Sequence, residues 1–275
     1  MATASRLILA SLLFAALACD SAPQEPEYDN PIIPDDPNYE PPQTTIILGP
    51  DNGAVLDTHS VTIGWDGNQG GMEFAYRLNS PIWSEWGPYG TTHYYYLDEG
   101  NYLFEVKGRY ASGVEEDSPD SLHFTVDDIH GPALWLTPRY QEVTTGGTFV
   151  VEVMLEDVTD VMAVKAVLEF DPAALQVSQI EVYEDSRSLL KANGGTVIPF
   201  SSYDNVLGTA TIEVATAIGD PSGVSGTGSL GIITFSSGDA GDYSITITPN
   251  SQLRNPDNGS ITITEKVEAF VEVAQ

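Results

Sequence analysis

Four histidines, His59, His93, His123 and His130, are the first side chains to test for chemistry. None forms a His-x-x-x-His pair, and none stands beside a motif serine or cysteine. Neither a zinc centre nor a nucleophile–base pair is indicated, and each reads as a satisfied or exposed imidazole. Acids abound, 40 against 10 Lys and Arg. A glycosidase needs two carboxylates roughly 5–10 Å apart, but no spacing singles out a pair or a cleft. No Gly-x-Ser-x-Gly elbow or Walker loop occurs, so the chain is read as no enzyme. Asn255-Pro256-Asp257-Asn258-Gly259 gathers oxygens in a loop, as do Asp157 and Asp160. A calcium ion wants about six to eight oxygens, so Asp257 and Asn258 are its candidate ligands. The same residue types also make turns unaided, and no cofactor beyond a structural calcium is expected. Trp83, Trp86, Tyr89 and Tyr94-Tyr95-Tyr96 form a dense aromatic cluster. Exposed, Trp83, Trp86 and Tyr95 would stack on sugar rings; buried, they would fill a core. The single cysteine, Cys19, excludes an internal disulfide and any multi-cysteine metal site.

The formal net charge is −30. Such a field repels nucleic acid and anionic lipid head groups and keeps the chain soluble at the cost of self-repulsion. Salt would screen that repulsion, which suits a saline or calcium-containing exterior. With 275 residues and 41% hydrophobic side chains, there is material for about two domains. No run of about 18 apolar residues occurs, so no conventional membrane-spanning helix is expected.

Arg6 is the one charge before Asp20 and precedes the apolar run Leu7 to Leu17. That run is too short to span a bilayer and suits the apolar region of a secretory signal. Ala16-Leu17-Ala18-Cys19 resembles the bacterial lipoprotein signal, although leucine stands one place late, with Ala16 three before the cysteine. The resemblance implies removal of 1–18, a diacylglycerol on Cys19, and an exported protein held to the cell envelope by that lipid, facing the surface or the periplasm. Residues 19–44 follow as an acidic, proline-rich tether. Residues 20–44 hold seven prolines and seven acids with no base, too little apolar surface for a core.

Residues 45–128 alternate in short runs: Val61-Thr62-Ile63-Gly64-Trp65, Phe74 to Leu78, Tyr102 to Val106 and Leu122 to Val126. Asp51-Asn52-Gly53, Asp66-Gly67-Asn68 and Asp98-Glu99-Gly100-Asn101 supply turns. About seven short strands in this span predict an immunoglobulin-like sandwich. Trp65 on an early strand, then Leu97-x-x-Gly100-x-Tyr102, is similar to fibronectin type III repeats. In those, the tyrosine ties a corner by a hydrogen bond. Trp83-Ser84-Glu85-Trp86 invites comparison with a WSxWS box, but Gly87 replaces the last serine and the position is wrong.

Residues 132–275 give nine predicted strands: 134–137, 148–155, 163–170, 175–182, 196–201, 209–217, 229–235, 243–248 and 266–273. One short helix is predicted at 185–194. The whole is therefore all-β: an Ig-like sandwich followed by a larger, nine-stranded jelly-roll sandwich. The second module resembles a cohesin domain in three places. These are Phe170-Asp171-Pro172-x-x-Leu175, the strand Gly208 to Val214, and Ser225-Gly226-x-Gly228-x-Leu230-x-x-Ile233-x-Phe235. Cohesins are non-catalytic and bind dockerins, calcium-loaded modules on polysaccharide-degrading enzymes, through one flat sheet face that includes their third, fifth, sixth and eighth strands. Alternation then turns Ala163, Lys165, Val167 and Glu169 outward on the third strand, and Thr209, Thr211, Glu213 and Ala215 outward on the sixth. Well-studied cohesins carry Asn and Asp where Ala163 and Lys165 stand, so partner choice does not transfer. The expected function is partner binding in a polysaccharide-degrading assembly at the cell surface, with a dockerin-type module as partner. The rivals are direct carbohydrate binding and a structural envelope or adhesion role.

Overall fold

The computed structural model describes residues 30–217 and 222–275. The expected signal segment, Cys19 and the start of the expected tether lie outside the described residues. The chain divides into two units, at Pro41/Pro42. In the first, prolines recur every third residue at 31, 34 and 37, each at the second position of a β-turn, where its fixed φ is already correct. Three successive turns result: the N–H groups of Ile33, Asp36 and Tyr39 donate to the carbonyls of Asn30, Ile33 and Asp36 at 2.9–3.1 Å, and Glu40 N–H donates to Pro31 O. An extended tether is therefore not what residues 30–41 form, because proline spacing outweighs charge repulsion there.

The second unit, Pro42–Gln275, holds two sandwiches. The first uses β1 (Thr44–Leu48), β2 (Ala54–Leu56), β3 (Val61–Gly67), β4 (Glu73–Leu78), β5 (Thr91–Tyr94), β6 (Gly100–Arg109) and β7 (Asp120–Val126). A three-stranded sheet ordered β1-β3-β5 faces a four-stranded one ordered β2-β7-β6-β4. Alternation sends Ile63, Trp65, Phe74, Phe104, Val106 and Phe124 inward, all buried. Trp65 sits 5.1 Å from Tyr76 and 5.6 Å from Phe104, between centroids. The tyrosine corner is present: Tyr102 OH donates to Asp98 O at 2.9 Å. Leu97 is buried beneath it, and Gly100 has φ +134°, a value that side chains resist.

The second sandwich uses β8 (Ala133–Thr137), β9 (Tyr140–Thr144), β10 (Thr148–Val161), β11 (Ala163–Glu169), β12 (Leu175–Val182), β13 (Val197–Asp204), β14 (Thr209–Thr216), β15 (Val224–Ser237), β16 (Gly241–Ile247), β17 (Gln252–Arg254), β18 (Ser260–Ile261), β19 (Glu265–Val267) and β20 (Ala269–Ala274). One sheet runs β12-β15-β10-β8-β19; the larger runs β13-β14-β11-β16-β20-β9, with β17 on β11 and β18 on β17. Nine strands were expected; β17 and β18 are short additions at the β11 edge, and the other two extra pieces have a common cause. The first and last segments each change sheet partway, the first at Pro138, which has no N–H for the ladder. As a result β19 runs parallel to β8 in one sheet, and β20 runs parallel to β9 in the other. The predicted helix at 185–194 reduces to one 3₁₀ turn, Leu189–Lys191, with no side-chain cap from Ser188. Asp185 spends its carboxylate on the Arg187 N–H instead. Gly226-Thr227-Gly228-Ser229-Leu230-Gly231 has the glycine spacing of a dinucleotide fingerprint but lies inside β15, with no helix after it.

Two of the quoted motifs meet in space. Phe170 N–H donates to Gly208 O at 2.9 Å. A Cβ on Gly208, at φ +70°, would stand 2.2 Å from Phe170 O. Asp171 caps the turn through Ala173 N–H, and Leu175 re-enters the core fully buried. There Phe235 packs edge-on to Phe170 and stacks on Phe149, each at 5.3 Å. Burying one such side chain stabilises by roughly 1.5–3 kcal/mol.

A buried ionic contact joins the sandwiches. Arg139, 3% exposed at its side chain, lies 2.7 Å from Asp128 and 3.1 Å from Glu99. Its N–H donates to Asp98, and His59 lies 2.9 Å from Asp128. Burial and the adjacent Asp128 push Glu99 up to about 7. Asp128 moves down to about 2, because the Arg139, Glu99 and His59 hydrogen bonds outweigh its burial. Tyr96 of the first sandwich lies 4.8 Å from Phe270 and 6.0 Å from Tyr140 of the second, between centroids.

Candidate partner-binding face

In β11, Val164, Ala166 and Leu168 are buried, and Phe170 follows in the same phase; in β14 Ala210, Ile212 and Val214 are buried. Their alternates therefore face outward, at least partly exposed: Ala163, Lys165, Val167, Glu169, Thr209, Thr211 and Glu213. Antiparallel register aligns them in pairs, Ala163 with Ala215, Lys165 with Glu213, Val167 with Thr211 and Glu169 with Thr209. Lys165 Nζ lies 3.5 Å from a Glu213 oxygen, with both side chains near half exposed. Such a pair is worth under about 1 kcal/mol. Glu169 and Glu213 stand four residues apart in register, about 13 Å at roughly 3.3 Å per residue.

Two neighbouring strands complete the face. In β13, Ile198 is opposite Ala215 and Phe200 is opposite Glu213, with exposures of 40% and 64%. On the other side, Gln252 pairs with Lys165 and Arg254 with Ala163. One row therefore reads Phe200, Glu213, Lys165, Gln252 across four strands. A shallow hollow of about 260 Å³ lies over it, lined by Lys165, Phe200, Glu213, Ala215 and Arg254 among others. Sequence reasoning missed Phe200 because Val197-Ile198-Pro199-Phe200 is apolar in both phases, so alternation cannot choose the outward one. It missed Arg254 because a three-residue strand is too short to show a period.

The other candidate residues lie elsewhere. Cations stand over both indoles: Arg77 is 4.3 Å from the Trp83 centroid, Arg109 is 4.5 Å from that of Trp86, and Lys107 is 5.2 and 5.0 Å from the two. These rings are partly buried and engaged by cations, which disfavours them as open sugar platforms. Tyr95 is 65% exposed, with His93 3.8 Å from it. Asn258 adopts φ +60°, and Asn255 caps the same turn through Gly259 N–H, so turn chemistry organises the Asp257–Asn258 loop. Among the described residues no group of three or more acids, histidines or cysteines could hold a metal ion. His130 pairs with Asp57 at 3.0 Å, which raises its pKa. His93 bonds Thr62, and His123 is exposed.

No family model matches the chain, and no curated protein matches it. Solved structures similar to it include a non-cellulosomal cohesin from the archaeon Archaeoglobus fulgidus, 16% identical, covering 52% of this chain and 91% of its own, at a TM-score of 0.41. Another is the sixth cohesin from scaffoldin B of Acetivibrio cellulolyticus, solved with a dockerin, 11% identical, covering 51% and 97%, at 0.42. A type II cohesin dyad from an adaptor scaffoldin of the same organism is 11% identical, covers 84% and 96%, and scores 0.41. Each is a structure to which the chain is similar, and identities and scores of this size assign it no function.

Proposed function

We propose that the outward face of β13, β14, β11 and β17 docks a protein module, and that the chain acts by binding and not by catalysis. The observation that carries this reading is Phe200, a large ring 64% exposed on a flat sheet. It stands in one row with an ion pair and beside a shallow hollow. Aromatic anchors ringed by polar groups dominate protein interfaces. The small side chains of Ala163, Ala215 and Thr211 leave the surface low enough for a helix to lie across it. The partner class that fits is the dockerin type named by the motif resemblance. Calorimetric titration with calcium-loaded dockerins encoded in the same genome tests this. The expected result is micromolar or tighter binding that weakens at least tenfold in Phe200→Ala. Absence of heat from every dockerin would remove the reading.

The same proposal includes export and a lipid on Cys19, with the folded part spaced from the envelope by the tether. It is supported by the apolar run before the chain's one cysteine. Feeding cells an alkyne-tagged fatty acid should label the wild-type chain and leave Cys19→Ser unlabelled; equal labelling would exclude it.

A further inference from the structure

We infer that the hollow beside the sandwich junction is a second binding site, separate from the docking face, and that its ligand is a neutral oligosaccharide. The hollow measures about 420 Å³ and is open to the surface, within the roughly 300–1,000 Å³ of small-molecule sites. Its floor is the outward face of β9, β20 and β16, and register sets out its chemistry. Phe270 pairs with Tyr140 on one side and Ser244 on the other; two residues along, Glu272 pairs with Glu142 and Asp242. Two aromatic rings and Ser244 thus make one row and carboxylates the next, about 6.8 Å away.

Tyr96 reaches over from the first sandwich, inclined 19° to the Tyr140 ring, and it is 38% exposed. It holds φ +54°, a left-handed backbone that a bulky residue avoids. Such a conformation costs on the order of 1–3 kcal/mol and persists where the surroundings over-determine it. Here the contacts with Phe270, Tyr140 and His59 at 5.9 Å do so. Tyr140 OH donates its one proton to Glu272 at 2.6 Å and also lies 3.1 Å from a Glu142 oxygen, which fixes the ring and holds Glu272 as an acceptor.

The ligand class follows by elimination. Among the described residues no Lys, Arg or His lines this hollow, and its charged groups are the carboxylates of Asp242 and Glu272, so phosphates, uronates and acidic peptides are disfavoured there. The carboxylates are spread over three strands, and no trio among the described residues converges to hold a metal ion. Carboxylates only accept hydrogen bonds, and the rings offer apolar faces. A ligand rich in hydroxyl donors, uncharged and with C–H faces, satisfies both rows at once, and a pyranose chain has that form.

Titration of the full chain with cellohexaose, xylohexaose and mannohexaose provides the test, with hexagalacturonate and octaarginine as charged probes at physiological salt. At least one neutral hexasaccharide should bind, tenfold or more weakly to Tyr140→Ala and threefold or more weakly to Asp242→Asn. Hexagalacturonate should not bind, and Phe200→Ala should leave sugar binding unchanged. Should Tyr140→Ala fail to fold, Asp242→Asn, at an exposed position, reads the same site. No binding by any of the three sugars would overturn the inference, as would equal sugar binding by Asp242→Asn and wild type. Octaarginine binding more tightly than any sugar, with loss in Asp242→Asn, would overturn it in favour of a basic peptide ligand.

Discussion

The two ends of the large sheet carry opposite surfaces. At the β13–β14–β11–β17 end, a row runs from Phe200 through Glu213 and Lys165 to Gln252. At the β16–β20–β9 end, the comparable row is Asp242, Glu272 and Glu142, with Tyr140 and Phe270 beside it. The same alternation built both, with buried aliphatics below and free choice above. One end is an open platform, and the other is roofed by Tyr96 of the neighbouring sandwich. A single sheet can thus supply a flat surface for a protein and a walled groove for a smaller ligand. What differs is whether a second module covers the outward face.

That contrast depends on the junction, so the largest effect should come from breaking it. Arg139→Ala leaves Glu99 and Asp128 facing each other without their cation, where removing one partner of a buried pair costs about 3–5 kcal/mol. Calorimetry should then show the sandwiches melting separately, while the binding proposed for the Phe200 face persists. A single transition at the wild-type temperature would mean that the junction is held by something else.

The next effect is a matter of pH. Glu99 titrates near 7 in the folded chain, above the roughly 4.3 of a free glutamate. A raised pKa favours the protonated form, so its contribution is complete below about pH 4.3 and is lost as pH rises through about 7. Asp128, moved down, contributes in the opposite sense, and its share is lost only as pH falls toward 2. Between pH 5 and 8 Glu99 therefore dominates, and wild type should lose about 1–2 kcal/mol after allowance for solvent screening. Thermal melts of Glu99→Gln over that range should stay flat. A wild-type curve equally flat would contradict a raised Glu99 at the junction.

The smallest effect lies on the platform. A double-mutant cycle on Lys165→Ala and Glu213→Ala should return about 0.2–1 kcal/mol, falling with salt. A larger coupling would mean that this pair, exposed in the free chain, is organised more tightly than its geometry indicates.

Much of the scaffold was legible before any coordinates. Trp65, the Leu97–Gly100–Tyr102 corner, the Phe170-Asp171-Pro172 turn and the inward phases of β11 and β14 all follow from period-two alternation and turn chemistry, which are local properties. Local signals also misled. Proline spacing turned the expected extension of residues 30–41 into successive turns, and a predicted helix at 185–194 shrank to one 3₁₀ turn when Asp185 bonded its own neighbour.

The order and type of residues along the chain determined that it would be all-β, where its turns fall and which side chains face inward, because each depends on neighbours within a few positions. Only the tertiary structure decided what stands beside what. It put Phe200 in line with Lys165 and Arg139 under two carboxylates of the other sandwich, and it brought Tyr96 onto Phe270. Those contacts join residues from 11 to more than a hundred and seventy positions apart, and no local pattern encodes which strands become neighbours.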